Sequence, residues 1–183
     1  MNNLNNRVAI ITGSSRGIGK AIAKRLAQDG ATVAINYSQS ADKAEVVVKE
    51  ITQNGGKAIA LQADVSKIAD LERLFDQTIE QLGKVDILVN CAGVVVYKPL
   101  VEVSETDFDK IFAINVKGTY FACQQAAKKM ADNGRIINIS STTTAMMLPT
   151  YSAYVATKGA VEQISRVLAK EVGDRGITVN IVS

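Results

Sequence analysis

Short, nearly continuous apolar runs alternate along the chain with longer segments whose apolar residues recur every three or four positions. The short runs are typical of strands buried on both faces, and the longer spacing is typical of amphipathic helices. The predicted strands are Arg7–Thr12, Ala31–Asn36, Lys57–Ala63, Val85–Asn90, Arg135–Ile139 and Ile177–Val182. The predicted helices are Ile18–Asp29, Ala41–Gln53, Ser66–Leu82, Ser104–Met130 and Tyr151–Val172.

The regular alternation of strand and helix determines the predicted fold class. Nearly all-apolar strands separated by helices form a parallel sheet that is covered by helices on both faces, with right-handed crossovers. We therefore predict an α/β fold with a doubly wound parallel sheet of the Rossmann type. Because no linker, repeat or low-complexity segment interrupts the pattern, residues 1–183 are predicted to form a single domain.

Two of the predicted helices begin with a capping signal. Ser66 is a predicted N-cap of the third helix, since its hydroxyl can accept from a free backbone N–H. Ser104 is followed three residues later by Asp107, which predicts a capping box at the start of the fourth helix.

Composition and charge narrow the class of protein. The 183 residues are 47% hydrophobic and 21% charged, which is the balance of a globular chain and not of a disordered one. The 21 Lys and Arg against 18 Asp and Glu give a net charge of +3 without a basic cluster, so neither nucleic acid nor a membrane surface is an expected partner. No apolar run approaches the length of a membrane-spanning helix, which is roughly 18 residues. Because the N-terminus also lacks a secretion signal, a cytoplasmic location is expected.

The use of cysteine and histidine excludes several kinds of site. Cys91 and Cys123 are too few for a disulfide framework and are expected to be buried free thiols. The chain contains no His, so neither a zinc site nor a His-based catalytic triad is expected, and no metal is predicted.

A glycine-rich turn joins the first strand to the first helix. Glycines allow a tight turn and the close approach of a ligand, and a helix N-terminus offers free N–H groups to a pyrophosphate. Because strand, turn and helix follow in the required order, the pattern predicts a nucleotide site, the alternative being a purely structural turn. The candidate contacts are Gly13, Ser14, Ser15, Arg16, Gly17, Ile18 and Gly19.

Tyr154 and Lys158 are four residues apart and therefore face the same side of the last predicted helix. A free tyrosine has a pKa of ~10, and a neighbouring ammonium lowers that pKa by stabilising the phenolate. The pair is therefore a candidate for general acid catalysis near neutral pH. Tyr151 has no such partner, because Val155 follows it by four residues. The competing interpretation of the pair is a core aromatic residue beside a solvated lysine.

Three motifs in this order resemble the short-chain dehydrogenase/reductase family. They are the Gly-x-x-x-Gly-x-Gly turn, Asn90-Cys91-Ala92-Gly93 after the fourth strand, and Tyr154-x-x-x-Lys158. The resemblance runs from Arg7 to Ser183 and is greatest to bacterial 3-oxoacyl-acyl-carrier-protein reductases and related carbonyl reductases. It implies a seventh strand and a substrate-covering segment beyond Ser183, so an incomplete C-terminus is expected. It also implies a homodimer or a homotetramer.

The end of the second strand favours NADP(H) over NAD(H). Enzymes that prefer NAD usually place an acid there, which accepts a hydrogen bond from the ribose 2′-hydroxyl. Asn36, Tyr37 and Ser38 occupy this position, and Asp42 already lies on the following helix. Arg16 in the glycine turn is predicted to pair with a 2′-phosphate, the alternative being a solvated surface charge.

The resemblance implies further cofactor contacts after the third and fourth strands. The matching residues are Asp64, Val65, Asn90, Ala92 and Gly93. In the family the acid at the position of Asp64 lies near the adenine, although this carboxylate is also suited to capping the following turn. Cys91 stands where the family usually has a second Asn.

Four residues match the catalytic set of the family, namely Asn115, Ser141, Tyr154 and Lys158. The resemblance implies that Ser141 polarises the substrate carbonyl and that Tyr154 donates the proton. Ser140 is the less suitable serine, being one residue early. Lys158 would tune Tyr154 and bind the nicotinamide ribose. Asn115 would help to hold a water, the alternative being a polar residue that kinks its helix.

Together these patterns predict an NADP(H)-dependent oxidoreductase that reduces the carbonyl of a small molecule, either a 3-oxoacyl thioester or another ketone, to an alcohol. The alternative is an NADP-binding sensor or scaffold without turnover. Tyr97, Val94–Val96 and Met146-Met147-Leu148 are equally suited to lining a substrate pocket and to packing.

Overall fold

The computed structural model describes residues 4–183, and six strands alternate with helices within that range. The strands are β1 (Val8–Ile11), β2 (Thr32–Tyr37), β3 (Lys57–Gln62), β4 (Ile87–Asn90), β5 (Arg135–Ile139) and β6 (Thr178–Val182). The helices are α1 (Gly17–Gln28), α2 (Ala41–Gln53), α3 (Ile68–Leu82), α4 (Glu105–Phe112), α5 (Thr119–Lys129), α6 (Thr143–Met146) and α7 (Ser152–Glu171). Among these helices, none combines the length and the apolarity that a membrane crossing requires.

The six strands form one sheet in the order β3-β2-β1-β4-β5-β6. All neighbouring strands are parallel. The chain therefore starts in the middle of the sheet, builds one half outward to β3, and returns to build the other half from β4. This reversal of direction opens a crevice at the carboxyl ends of β1 and β4, where ligands bind in sheets of this kind. The predicted doubly wound α/β fold is confirmed.

The apolar core lies on both faces of the sheet. Successive strand residues point to opposite faces, so Ile10 and Leu88 pack under α3, α5 and α7, whereas Ile11 and Val89 pack under α1 and α2. All four side chains are buried, since a helix layer covers each face. This two-sided burial is the reason that the strands are nearly all apolar in sequence.

The predicted long helix Ser104–Met130 contains a π-helical turn, which separates it into two α-helices. α4 ends at Phe112, and the turn Ala113–Gly118 joins it to α5. A π turn accommodates an extra residue in the helical path and recurs at functional sites. Asn115 lies buried within this turn.

The capping box predicted at the start of α4 is confirmed. Asp107 N donates to Ser104 Oγ at 3.1 Å, and Ser104 N donates to Asp107 Oδ2 at 3.3 Å. Lys98 Nζ donates to the same carboxylate, and this bond, together with the two donated by Ser104, lowers the pKa of Asp107 to about 2.

The N-cap predicted at Ser66 is wrong. α3 begins at Ile68, with Lys67 in the N-cap position and without a side-chain cap from residues 4–183. Ser66 Oγ instead donates to Asp64 Oδ1 at 2.7 Å, and Ser66 N donates to the same oxygen at 3.0 Å. These two bonds hold Ser66 in the turn formed by Asp64, and Lys67 takes the N-cap position.

Candidate active site

A groove of about 870 Å³ lies at the carboxyl ends of the strands, across the point where the strand order reverses. It is lined by the segments that follow β1 to β5 and by two side chains of α7. Of the site residues predicted from the sequence, Ser14, Asn90 and Asn115 do not line this groove, and all the others do. Val94 and Val95, which the sequence left undecided between pocket lining and packing, also line the groove. Further lining residues that were not predicted as site residues are Gln39, Ser40, Ala63, Cys91, Lys110, Ile114, Ile139, Ser140, Thr142 and Ser183.

The glycine turn, which follows β1 in the chain, lines the groove. Gly13 has φ +66°, and a Cβ at that position would stand 2.8 Å from Ala92 Cα. A Cβ on Gly19 would stand 2.7 Å from Gly13 O. No side chain in residues 4–183 caps the N-terminus of α1, and the first turn of the helix carries no acid. Its free N–H groups and positive dipole therefore face the groove, which is the arrangement that binds a pyrophosphate.

Ser14 and Asn36 hold the glycine turn from behind. Asn36 Oδ1 accepts from Gly13 N at 3.1 Å, and Asn36 Nδ2 donates to Ala63 O at 3.0 Å. Ser14 Oγ donates to Ile11 O at 2.7 Å and accepts from Asn36 N at 3.0 Å. Both residues are buried, so they fix the position of the turn between β1, β2 and β3.

The charged side chain of the turn, Arg16, is exposed, unlike the buried side chains of Ser14 and Asn36. Arg16 lines the groove, as do Tyr37 at the end of β2 and Ser38 directly after it. Asp64 follows β3 and also lines the groove. Because Asp64 Oδ1 accepts from the backbone N–H of Ser66, the carboxylate both caps its turn and faces the groove.

The segment after β4 approaches the glycine turn closely. Thr12 Oγ1 accepts from Cys91 N at 3.0 Å and from Ala92 N at 3.1 Å, which holds this segment against the end of β1. Asn90 points away from the groove, since its Nδ2 donates to Asn138 Oδ1 at 2.8 Å. Thr12 was not predicted as a site residue, although a polar residue that ends an apolar strand just before a glycine is a signal of such a role.

Lys158 reaches the groove from α7. Its Nζ donates to Ile139 O at 2.7 Å and lies 5.6 Å from the centroid of the Tyr154 ring. The residue is 7% exposed, and this burial disfavours the ammonium and lowers the pKa of Lys158. Burial likewise raises the pKa of the neighbouring Cys91 thiol, while the charge of Lys158 opposes that rise. The pair Tyr154 and Lys158 therefore shares one edge of the groove, as the four-residue spacing predicted.

The two serines at the end of β5 have different environments. Ser140 is buried, and its Oγ donates to Glu162 Oε1 at 2.8 Å. Ser141 Oγ accepts from Thr143 N at 3.2 Å and from Thr143 Oγ1 at 2.8 Å. Because two donors already occupy the oxygen of Ser141, its own proton remains available to a group in the groove.

Asn115 lies behind the groove, in the π turn. Its Oδ1 accepts from Val94 N at 2.9 Å, and its Nδ2 donates to Val94 O at 2.9 Å and to Thr157 Oγ1 at 3.1 Å. A Cβ on Gly93 would lie 3.4 Å from Asn115 Oδ1 and 3.9 Å from Lys158 Nζ. The asparagine therefore connects the segment after β4 with α7, close to the lysine.

The two thiols are free in the described residues. Burial raises the pKa of Cys123 to about 12, opposed by its hydrogen bonds with Asn138 and Asn90. Residues 4–183 contain no group of three or more His, Cys, Asp or Glu placed to hold a metal ion.

Comparison with known proteins identifies the family. The family model for short chain dehydrogenases matches residues 7–183. An uncharacterized oxidoreductase of Methylorubrum extorquens is 48% identical over 183 residues, covering 100% of this chain and 74% of that protein. Elsinochrome reductase 1 of Elsinoe fawcettii is 46% identical over 181 residues, covering 98% of this chain and 68% of that protein.

A solved structure agrees with these sequence matches. The crystal structure of landomycin C-6 ketoreductase LanV with bound NADP and rabelomycin superimposes with a TM-score of 0.94 at 41% identity, covering 99% of this chain and 76% of that one. Fold, groove and sequence therefore agree, and the chain belongs to the short-chain dehydrogenase family.

Proposed function

We propose that the protein is an NADP(H)-dependent oxidoreductase that reduces the carbonyl of a small molecule to an alcohol. The observation that carries this proposal is the position of Tyr154, Lys158 and Ser141 in the same groove as the glycine turn. The N-terminus of α1 would hold the pyrophosphate of a dinucleotide, and the phenol of Tyr154, the buried cation of Lys158 and the hydroxyl of Ser141 lie in the same groove.

The residues around the groove fit a phosphorylated dinucleotide. Gly13 and Gly19 have no room for a Cβ, so glycine at these positions lets the turn pack tightly against Ala92 and the start of α1, as in a dinucleotide-binding turn. Arg16 is exposed at the groove, and the end of β2 offers Tyr37 and Ser38, and no acid, where an NAD-specific enzyme usually has an acid. The related ketoreductase LanV was crystallised with NADP, which supports the same preference here. When bound, NADPH supplies the hydride that the carbonyl carbon receives.

The side chains of the chain itself supply the polar part of the reaction. Ser141 donates a hydrogen bond to the carbonyl oxygen and polarises it. Tyr154 donates its phenolic proton to that oxygen as negative charge develops on it. The ammonium of Lys158 stabilises the resulting phenolate, and Asn115 holds the backbone beside this lysine so that solvent can return the proton.

A matched pair of serine variants tests this proposal. Purified protein with NADPH and a reactive diketone such as 2,3-butanedione is expected to consume NADPH, followed at 340 nm. Ser141→Ala should lower kcat by a factor of about 10² to 10³, because it removes the donor at the oxyanion. Ser140→Ala should lower it by less than about tenfold, since Ser140 bonds to Glu162.

The same experiment distinguishes the alternative function. NADPH binding, read from the fluorescence of the nicotinamide, is expected in both variants. NADPH binding without consumption across a broad panel of ketones would contradict the reductase and would favour a sensor or scaffold.

A further inference from the structure

Three tyrosines form a continuous row that ends at the proposed general acid. The rings of Tyr97 and Tyr151 lie 5.1 Å apart at an interplanar angle of 68°. The rings of Tyr151 and Tyr154 lie 6.1 Å apart at 64°. Both contacts have the edge-to-face geometry that aromatic side chains prefer. The row therefore extends from the protein surface to the phenol that faces the groove.

The row is held in place by the two loops that carry it. Lys98 N, directly after Tyr97, donates to Thr150 O at 3.1 Å, directly before Tyr151. This bond joins the loop after β4 to the loop before α7. Tyr97 nonetheless remains 67% exposed. A ring that is already positioned but still exposed can receive a flat ligand with little further loss of conformational entropy.

The charge next to the exposed end of the row is compensated. The cation next to the row, Lys98, is paired with Asp107. The row therefore offers ring faces, and no unpaired charge at Lys98, to a ligand that reaches Tyr154.

We propose that this row binds an aromatic ring of the substrate, so that the preferred substrates are ketones whose carbonyl is fused or attached to such a ring. This inference rests on the proposed function of Tyr154. The substrate ring packs against Tyr97 and Tyr151 while its carbonyl oxygen reaches Tyr154 and Ser141. An extended aliphatic 3-oxoacyl chain would leave these ring contacts unused.

A pair of ketones of matched shape tests the inference. 1-Tetralone carries an aromatic ring beside its carbonyl, and 1-decalone is its saturated counterpart. Equilibrium dialysis against the protein saturated with NADP+ measures the affinity of each without requiring turnover. We expect 1-tetralone to bind about three- to tenfold more tightly than 1-decalone.

Variants of Tyr97 test whether the preference for 1-tetralone depends on the tyrosine row. Tyr97→Ala should remove most of the difference between the two ketones, and Tyr97→Phe should keep it, because the ring remains. Tyr120→Ala is the control, since Tyr120 is also half exposed but contacts Phe121 on α5. Equal affinity of the wild type for both ketones, or an equal effect of Tyr97→Ala and Tyr120→Ala, would overturn the inference.

NADPH oxidation with the same two ketones separates this inference from the proposed function. Selective binding of 1-tetralone without oxidation of NADPH would contradict the reductase and keep the aromatic site. Oxidation of NADPH with 1-decalone at an equal kcat/KM would keep the reductase and contradict the aromatic site.

Discussion

Lys158 Nζ lies 2.7 Å from Ile139 O and 5.6 Å from the centroid of the Tyr154 ring, one helical turn away on α7. The backbone carbonyl and the ring face both attract the ammonium in a place where burial disfavours it. Strand β5 therefore fixes the lysine, and the lysine supplies positive charge beside the phenol. The four-residue spacing of Tyr154 and Lys158 could not predict this contact between α7 and β5.

Replacement of Arg16 tests the preference for NADP(H). Arg16→Ala should raise the Kd of NADPH by about tenfold or more, because a charge-assisted bond to the 2′-phosphate is lost. The Kd of NADH should change by less than about threefold, since NADH lacks that phosphate. Titration of both cofactors measures this. Arg25→Ala, on the helix that follows the turn and paired with Asp29, is the control. Equal losses for NADPH and NADH would contradict the role of Arg16.

Two helical glycines make a matched pair for the glycine turn. A Cβ on Gly19 would meet backbone atoms of Gly13 and Ser14 at 2.7 and 2.9 Å, whereas a Cβ on Gly159 would meet nothing within 4 Å. Gly19→Ala should lower the free energy of unfolding by about 1–3 kcal/mol and weaken NADPH binding. Gly159→Ala should raise it by about 0.5–1 kcal/mol, because alanine favours a helix. Urea unfolding distinguishes the two, and similar changes in both variants would show that the turn is not tightly packed.

The lowered pKa of Lys158 predicts a pH-dependent stability difference. In the interval between that lowered pKa and the ordinary value of 10.5, the unfolded chain holds a proton on this lysine that the folded chain has lost. The free energy of unfolding of the wild type should therefore rise relative to Lys158→Met as pH increases through this interval. Urea unfolding of both proteins at pH 7 and pH 10 measures the change, with the exposed Lys49→Met as the control. A difference that does not vary with pH would contradict the burial effect at Lys158.

Local patterns predicted much of the fold and of the groove. Strands β1 and β4 were recognisable because both faces of each are buried, and the glycine turn was recognisable because Gly13 and Gly19 have no room for a side chain. Features that depend on contacts distant in sequence were not predicted. The π turn is stabilised by bonds from Asn115 to Val94 and Thr157, which lie 21 and 42 residues away.

Competition between neighbouring polar groups explains other differences. The residue type of Ser66 suits an N-cap, but its hydroxyl donates a hydrogen bond to Asp64, and Lys67 takes the N-cap position. Asn90 matched a family motif, yet its amide donates to Asn138 on β5 and points away from the groove. Residue type and position were evident from the sequence in both cases, and the partner was not.

The most direct test of the account is the turnover of Tyr154→Phe beside its NADPH affinity. The variant keeps the ring and its contact with Tyr151 but loses the phenolic proton. We expect kcat for carbonyl reduction to fall by a factor of about 10² to 10⁴, with the Kd of NADPH changed by less than about threefold. Retained turnover in Tyr154→Phe would contradict the assignment of Tyr154 as the general acid, and with it the proposed mechanism.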